Sequence, residues 1–194
     1  MDGKYRVHEI FLSLQGEGYH TGTPTVFIRF SGCNLHCSFC DTDFSEYRLC
    51  SAEDISEQVS SLLQAREPLP ARSALLVLTG GEPSLQVDDK LIGSLHRLAD
   101  TICIETNGTH PVPEGIDWVT CSPKEGSKLL LHEADEVKVV YTGQDVEQWR
   151  RQLKSKHWFL QPCSCQNTAE TIDYVLHHPA WRLSLQTHKL VGIE

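Results

Sequence analysis

Three of the eight cysteines in this chain lie within one short segment, at Cys33, Cys37 and Cys40, with the spacing C-x3-C-x2-C. A short loop can bring three thiolates to one soft metal centre because closing so small a loop costs little conformational entropy. A four-iron cluster normally binds four cysteines, one on each iron. The triad therefore predicts an iron–sulfur cluster with one iron left open for a further ligand, as a catalyst needs and an electron carrier does not.

Two other interpretations of this segment exist. A structural zinc site uses four ligands, usually as two separated pairs, and His36 is available as a fourth ligand although it lies between the cysteines. The cysteines are alternatively inert packing residues. Asn34, Ser38 and Asp41 make the segment a polar loop, which is unlike a core strand and favours the cluster.

Apolar segments of strand length alternate along the chain with segments at helical spacing. Ser51 and Asp54 form a capping box that predicts the start of a helix with Ile55 and Val59 on its buried side. The alternation favours right-handed βαβ units and a parallel sheet. Strands are predicted at 7–14, 24–30, 74–78, 101–105, 117–121, 136–141, 157–160 and 181–185, and helices at 51–67, 88–98, 144–153 and after Asn167.

Polar segments, most of them with glycine or proline, follow the predicted strands one after another. The carboxyl ends of parallel strands meet at one edge of a sheet or barrel, where α/β proteins gather their active sites. Arg29, four residues before Cys33, suits a carboxylate at the rim of such a site. The segments are Thr79-Gly-Gly-Glu-Pro83, Glu105-Thr-Asn-Gly108, Ser122-Pro-Lys124, Gln161-Pro-Cys163 and Gln186-Thr-His-Lys189.

Composition excludes several classes of protein. A chain of 194 residues is the length of one domain, and its formal net charge of −9 argues against a general nucleic-acid or membrane-surface binder. No apolar run approaches the ~20 residues that span a bilayer. The first residues lack the apolar core of a signal peptide, and eight cysteines then indicate a reducing compartment. We expect an acidic, single-domain cytoplasmic protein.

The cysteine triad, with Phe39 before its last member, resembles the cluster loop of the radical S-adenosylmethionine (SAM) superfamily. The resemblance extends over residues 1–194 and implies a single radical SAM domain with an α/β fold, a partial (β/α)6-type barrel of reduced size. It also implies a 4Fe–4S cluster whose open iron chelates SAM, and the reductive cleavage of SAM to an adenosyl radical. The turn Gly80-Gly-Glu-Pro83 resembles the motif that holds the amino group of SAM, whose charge Glu82 would balance.

Within the superfamily, the strand-end motifs together with Leu14-Gln-Gly-Glu-Gly18 resemble the family of 7-carboxy-7-deazaguanine synthases. The resemblance implies conversion of 6-carboxy-5,6,7,8-tetrahydropterin to 7-carboxy-7-deazaguanine with loss of ammonia, a step towards 7-deazapurines such as queuosine. The implied rearrangement starts from hydrogen abstraction at C6 of the pterin. Catalytic use of SAM, a need for Mg2+, a reductant such as flavodoxin or ferredoxin, and a homodimer are implied as well.

The resemblance also assigns roles to individual residues. Cys33, Cys37 and Cys40 would bind three irons of the cluster, and Thr42 would bind Mg2+, a hard cation that prefers oxygen ligands. The C-terminal carboxylate of Glu194 is expected to reach the substrate. The SAM site would comprise Phe39, Gly81, Glu82, Thr106, Ser122, Pro123, Lys124 and Gln161, and the pterin site Leu14, Gln15, Gly16, Glu17, Arg29, Thr79, His188 and Glu194.

Two further hypotheses remain open from the sequence. A glycyl-radical-activating or other radical SAM enzyme shares the cysteine spacing, but would have no use for Thr42 or a terminal Gln-Thr-His-Lys motif. A non-catalytic iron–sulfur or zinc protein would need a fourth ligand. The remaining thiols are interpreted as packing residues or stay unexplained; they are Cys50, Cys103, Cys121, Cys163 and Cys165.

Overall fold

A computed structural model describes residues 3–40, 45–65 and 75–193 of the chain, and in these residues nine strands form one sheet. The strand order is β3-β1-β2-β4-β5-β6-β7-β8-β9. The strands are β1 (Lys4–Leu14), β2 (Pro24–Phe30), β3 (Arg48–Ser51), β4 (Leu75–Gly80), β5 (Ile102–Thr106), β6 (Trp118–Cys121), β7 (Glu136–Tyr141), β8 (His157–Pro162) and β9 (Arg182–Leu183). The helices are α1 (Ala52–Gln64), α2 (Asp89–Leu95), α3 (Glu147–Gln152), α4 (Thr168–His177) and α5 (Thr187–Val191), with 3-10 turns at Pro83–Leu85 and Cys163–Cys165.

The sheet is parallel from β2 to β9, and β1 joins it antiparallel to β2 and β3. Within the described part of the chain β3 and β9 lie at the two edges, so the sheet does not close. This arrangement confirms the predicted α/β fold and partial barrel. The predicted strands 24–30 and 136–141 are found with those bounds.

Alternation along the strands separates a helix-covered outer face from an inner face. Leu76 and Leu78 of β4 lie in the core that packs against α1 and α2, whereas Val77 packs with Cys103 on the other face. A second core joins Val137 and other outer residues of β6–β8 to α3. The inner face is apolar near the amino ends of the central strands and polar near their carboxyl ends, where it lines a cavity.

Both hydrogen bonds of the predicted capping box at α1 are present. The backbone N–H of Asp54 donates to Ser51 Oγ at 3.1 Å, and the N–H of Ser51 donates to Asp54 Oδ2 at 2.8 Å. Ile55 and Val59 are fully buried on the face of α1 that packs against the sheet. A local sequence signal therefore sets where this helix begins, and its apolar stripe sets how it packs.

Several elements differ from the predicted ones. Strand β3 was not predicted, and the strand expected at 181–185 is limited to Arg182–Leu183. Helix α3 covers only Glu147–Gln152 of the predicted 144–153. Helix α4 begins after Asn167, as predicted. The Asn167 side chain does not cap the helix, because it accepts from the N–H of Cys163 at 2.8 Å and donates to the carbonyl of Tyr141 at 2.9 Å. That side chain fixes the loop after β8 instead.

None of the helices in the described residues is long and apolar enough to cross a membrane.

Replacing Ser51 by alanine tests the cap. We expect Ser51→Ala to lower the free energy of unfolding by about 1 kcal/mol, because an N–H in the first turn of α1 loses its partner. Ser61→Ala, at an exposed position inside the same helix, is the control and should change stability by less than ~0.5 kcal/mol. Urea unfolding followed by circular dichroism measures both, and equal losses would contradict a capping role.

Candidate functional site

A cavity of about 480 Å3 occupies the inner face of the sheet towards the carboxyl ends of the parallel strands. It brings together most of the residues that the sequence singled out. The predicted residues that line it are Cys33, Cys37, Phe39, Cys40, Gly81, Thr106, Ser122, Lys124, Gln161, Leu14, Gln15, Gly16, Glu17, Arg29, Thr79 and His188. Glu82 and Pro123 do not line it, and Thr42 and Glu194 lie outside the described residues.

The cysteine loop contributes three thiols to the cavity wall. Cys33 and Cys37 are half-buried and Cys40 is exposed. The backbone N–H of Leu35 donates to Cys33 Sγ at 3.4 Å, and Asn107 Nδ2 lies 4.0 Å from the same sulfur. Burial raises the pKa of Cys33, and nearby acidic groups add to the shift.

The donor set of this loop fits an iron–sulfur cluster. Three thiols share one wall and one of them already accepts an N–H, as cluster cysteines do. His36 is exposed and does not line the cavity, which disfavours it as a zinc ligand. No three His, Cys, Asp or Glu side chains in the described ranges have metal-binding geometry. The fit therefore depends on the number, type and spacing of the thiols.

The glycine turn after β4 lies directly against the segment that enters the cysteine loop. The N–H of Gly81 donates to the carbonyl of Phe30, and the N–H of Glu82 donates to the carbonyl of Gly32, both at 2.9 Å. A Cβ on Gly81 would overlap the carbonyl group of Gly32. Glycine is required here because two backbones approach too closely for a side chain.

Glu82 is fully buried behind this turn. Its Oε1 accepts hydrogen bonds from the N–H and hydroxyl of Ser84 at 3.1 and 2.6 Å. The hydroxyl of Thr106 donates to Oε1 at 2.7 Å and the N–H of Asn107 to Oε2 at 2.6 Å. Since protein donors occupy this carboxylate and it does not line the cavity, its contribution is to hold the end of β5 against the end of β4.

The end of β6 supplies a lysine to the same cavity. Lys124 Nζ donates to the carbonyl and hydroxyl of Ser122 at 2.8 and 2.7 Å, and the N–H of Ser122 donates to the carbonyl of Thr106 at 2.7 Å. Burial lowers the pKa of Lys124. Backbone and side-chain bonds thus join the ends of β4, β5 and β6 into one continuous rim.

The loop after β1, residues 15–23, closes the cavity at the amino ends of the parallel strands. The N–H of Tyr19 donates to Glu136 Oε2 at 3.0 Å. The ring of Tyr19 stacks on Trp118 with centroids 4.9 Å apart and contacts His157 at 4.4 Å. Since these three partners are the first residues of β7, β6 and β8, the loop crosses the base of the half-barrel.

A buried ion pair joins this loop to the sheet. Lys138 on β7 is 6% exposed, and its ammonium lies 2.5 Å from Glu17 Oε2 and 3.3 Å from Glu105 Oε1. Burial alone would lower the pKa of Lys138, but the carboxylates around it raise that pKa above the usual lysine value. The ion pair and a hydrogen bond from Gln186 lower the pKa of Glu17 against the opposing effect of burial.

Hydrogen bonds from other elements extend the ion pair. Thr79 Oγ1 donates to Glu105 Oε2 at 2.8 Å, and Gln15 Nε2 lies 3.4 Å from Glu105 Oε1. Gln186 Nε2 donates to Glu17 Oε1 at 2.9 Å. Sequence reasoning assigned no role to Lys138 or to the Glu105 carboxylate. The available signal was a pair of charged residues, Glu136 and Lys138, at alternate positions of an otherwise apolar strand.

Arg29 lines the cavity from β2 with its orientation fixed. Its Nε donates to Glu9 Oε1 at 2.7 Å, and its guanidinium carbon lies 5.5 Å from the ring centroid of Phe11. The side chain is one-quarter exposed. A guanidinium fixed on one edge is well suited to bind a carboxylate with its remaining N–H groups.

The terminal motif packs against the loop after β1. The N–H of Thr187 donates to the carbonyl of Gly16 at 2.9 Å. His188 lies so close to Gly16 that a Cβ there would overlap the imidazole. The two segments that the resemblance brings to the predicted pterin site, with Gly16 and Glu17 in one and His188 in the other, are therefore in contact in the structure.

Comparisons with known proteins agree on one family. The sequence profile of the Radical SAM superfamily matches residues 27–154. The chain is 59% identical to the 7-carboxy-7-deazaguanine synthase of Bacteroides thetaiotaomicron over 97% of this chain and 98% of that protein. It is 44% identical to the enzyme of the same name from Bradyrhizobium diazoefficiens over 97% and 99%. The crystal structure of QueE from Escherichia coli is similar with a TM-score of 0.76 and 28% identity, covering 94% of this chain and 93% of that one.

Replacing Gly81 by alanine tests the close backbone contact. We expect Gly81→Ala to lower the free energy of unfolding by about 2 kcal/mol, because the turn or the cysteine loop must move. Gly93→Ala inside α2 is the matched control: nothing lies near its added Cβ, and helix propensity should stabilise it by about 0.5–1 kcal/mol. Chemical denaturation measures both, and a neutral Gly81→Ala variant would show that the contact is not tight.

Proposed function

The chain belongs to the radical SAM superfamily and, within it, to the 7-carboxy-7-deazaguanine synthases, and we propose that it converts 6-carboxy-5,6,7,8-tetrahydropterin to 7-carboxy-7-deazaguanine with loss of ammonia. As a radical SAM lyase it acts on a small molecule and uses a reductant. The product is a precursor of 7-deazapurines such as queuosine. The observation that carries the proposal is one cavity lined by the thiol triad and by residues from each strand-end motif and from the 14–18 and 186–189 segments.

The cofactors are assigned to the rim of the cavity. An iron–sulfur cluster on Cys33, Cys37 and Cys40 would supply the one-electron chemistry that cleaves SAM. The turn at Gly81 offers backbone groups at the point where β4 ends, beside the cysteine loop. The remaining groups assigned to SAM are Phe39, Thr106, Ser122, Lys124 and Gln161, with Glu82 and Pro123 behind them.

The substrate is assigned to the inner part of the cavity. Arg29 would bind the pterin carboxylate with the N–H groups not engaged by Glu9. Glu17, ionised beside Lys138, would accept hydrogen bonds from the aminopyrimidinone edge. Leu14, Gln15, Gly16, Thr79 and His188 complete the wall.

Exclusion of water is the second task of this architecture. A radical that is poorly placed or exposed would react with protein or solvent, so the substrate must be held in a closed and fixed position. The loop 15–23 closes the base through Tyr19 and its aromatic partners, while Glu82 and its donors fix the rim. The chain thus supplies position and enclosure.

Mg2+ is part of the proposal. Thr42 follows the last cysteine of the triad by two residues, and a threonine hydroxyl with substrate oxygens is a suitable ligand set for this hard cation. Mg2+ on the substrate carboxylate would orient it. We also assign the C-terminal carboxylate of Glu194 to the substrate. Activity measured with and without Mg2+ tests the assignment of this cation.

The proposal also covers the domain organisation, oligomeric state, compartment and electron donor of the enzyme. One continuous sheet from β3 to β9 supports a single radical SAM domain over residues 1–194. Exposed Leu190 and Val191 on α5 and Ile193 beside it are compatible with a homodimer. No disulfide joins any of the eight cysteines, all of which lie in the described residues, and this supports a reducing cytoplasm. Flavodoxin or ferredoxin would provide the electron.

Arg29→Lys tests the assignment of the substrate carboxylate. A lysine cannot keep the hydrogen bond to Glu9 and offer a bidentate fork at the same time, so we expect KM for the pterin to rise by about tenfold or more. Arg97→Lys, on the exposed side next to α2, is the control and should leave KM unchanged. Steady-state kinetics measure both, and an unchanged KM in Arg29→Lys would remove Arg29 from the substrate site.

Anaerobic reconstitution tests the reaction itself. With the cluster, SAM, a reductant and 6-carboxytetrahydropterin, we expect mass spectrometry to detect 7-carboxy-7-deazaguanine without proportional consumption of SAM. Accumulation of 5′-deoxyadenosine alone would leave the radical chemistry in place and reject the substrate.

The cluster ligands are tested in parallel. Cys37→Ser should lose bound iron and product formation, because the loop then offers only two thiolates. Cys50→Ala is the matched control, since this thiol is buried on β3 beside Tyr5 and outside the cavity. Iron content and visible absorption distinguish the two variants. Equal iron in both would contradict the triad.

A further inference from the structure

We propose that Lys138 is a positioning residue that keeps Glu17 and Glu105 as a pair of ionised carboxylates facing the cavity, and that this pair selects a ligand edge rich in N–H donors. The inference rests on the proposed function for the identity of the ligand. It adds Lys138 and Glu105 to the residues that determine substrate specificity.

The geometry places one cation between two anions from different elements. Lys138 comes from the inner face of β7, Glu105 from the end of β5 and Glu17 from the loop after β1. Only 7% of the Lys138 side chain is exposed, against 16% for Glu17 and 24% for Glu105. All three side chains line the cavity, and the two carboxylates are more exposed to a ligand there than the lysine is.

Each carboxylate keeps acceptor capacity for a ligand. An ionised carboxyl group offers about four lone-pair sites and no donor. Among the described residues, the hydrogen bonds to the Glu17 carboxylate come from Lys138 and Gln186, and His188 adds a charge interaction. Those to Glu105 come from Lys138 and Thr79, with Gln15 at the limit of hydrogen-bonding distance. The 2-amino group and the adjacent ring N–H of a 2-amino-4-oxopyrimidine are donors of the complementary kind.

Charge balance makes the lysine necessary for this arrangement. Without a cation, the repulsion between two carboxylates that face one site raises the pKa of one of them, so that it takes up a proton at the lower end of the pH range. The protonated group would present an O–H to a ligand edge that is itself a donor. The other charged or titratable groups around the ion pair are Glu136, Lys124 and His188, with His20 and Cys103 beside the carboxylates.

A purely structural role makes a different prediction. If Lys138 only anchored the loop after β1, its loss would lower stability and weaken binding equally at every pH. In the proposed role, binding weakens because the carboxylate pair takes up a proton. The loss of affinity then depends on pH. The pH profile of binding therefore separates the two roles.

The test compares wild type with Lys138→Met from pH 6 to 9. The measured quantities are KM for 6-carboxytetrahydropterin and the Kd of the unreactive probe 6-carboxypterin. In wild type both should be flat, since Glu17 stays ionised throughout. In Lys138→Met both should rise by about tenfold or more at pH 6 and fall as pH increases, because the shared proton is lost. The Kd for SAM should change by less than about twofold.

Two control variants define the effect. Lys138→Arg keeps the charge and should keep a flat profile. Lys90→Met makes the same substitution at an exposed lysine that pairs with Glu53, and should match wild type. A rise in KM and Kd that does not depend on pH in Lys138→Met would overturn the proposal and leave a structural role.

Glu105→Gln keeps the proposal testable if Lys138→Met does not fold. This variant retains the cation but removes one anionic acceptor, so the Kd of 6-carboxypterin should rise by about tenfold and stay independent of pH. An unchanged Kd would overturn the paired role. Wild type that binds the probe but forms no 7-carboxy-7-deazaguanine would contradict the proposed function, and the pH profiles of the probe would then decide the inference separately.

Discussion

A buried ammonium needs anionic partners, and the structure meets this requirement at Lys138 by bringing two distant acids to one point. Glu17 lies on the loop that crosses the base of the half-barrel, and Glu105 lies at the end of β5. The same contact thus fixes the loop, closes the cavity and sets the charge of its wall. Removing either type of partner leaves an uncompensated charge inside the protein, so the loop and the sheet depend on each other.

The cavity is built in two layers that use different physical means. At the strand ends, close backbone packing at Gly81 and the fully occupied carboxylate of Glu82 create a rigid rim with little side-chain freedom. Deeper in the cavity the wall consists of charged side chains, and the carboxylates of Glu17 and Glu105 can accept further hydrogen bonds there. A rim made of backbone suits a cofactor that is the same in many enzymes, whereas a wall made of side chains suits a particular substrate.

The sequence predicted what depends on local signals. The capping box at Ser51, the strands 24–30 and 136–141 and the strand-end motifs each follow from neighbouring residues, and the resemblance to a known family brought the motifs into one site. Strand β3 and the Lys138 pair were missed because they depend on contacts with distant segments. A lysine within an apolar strand gives no sign of which acids will meet it.

The contact between residues 14–18 and 186–189 also has a consequence for the order of folding. Glu17 and Gln186 are 169 positions apart, yet they share a hydrogen bond in the wall of the cavity. During synthesis the loop leaves the ribosome long before its partner, since domains emerge from the amino terminus. The substrate pocket therefore cannot be completed until nearly the whole sheet has been synthesised, so a nascent chain carries its cysteine loop before the finished site can enclose it.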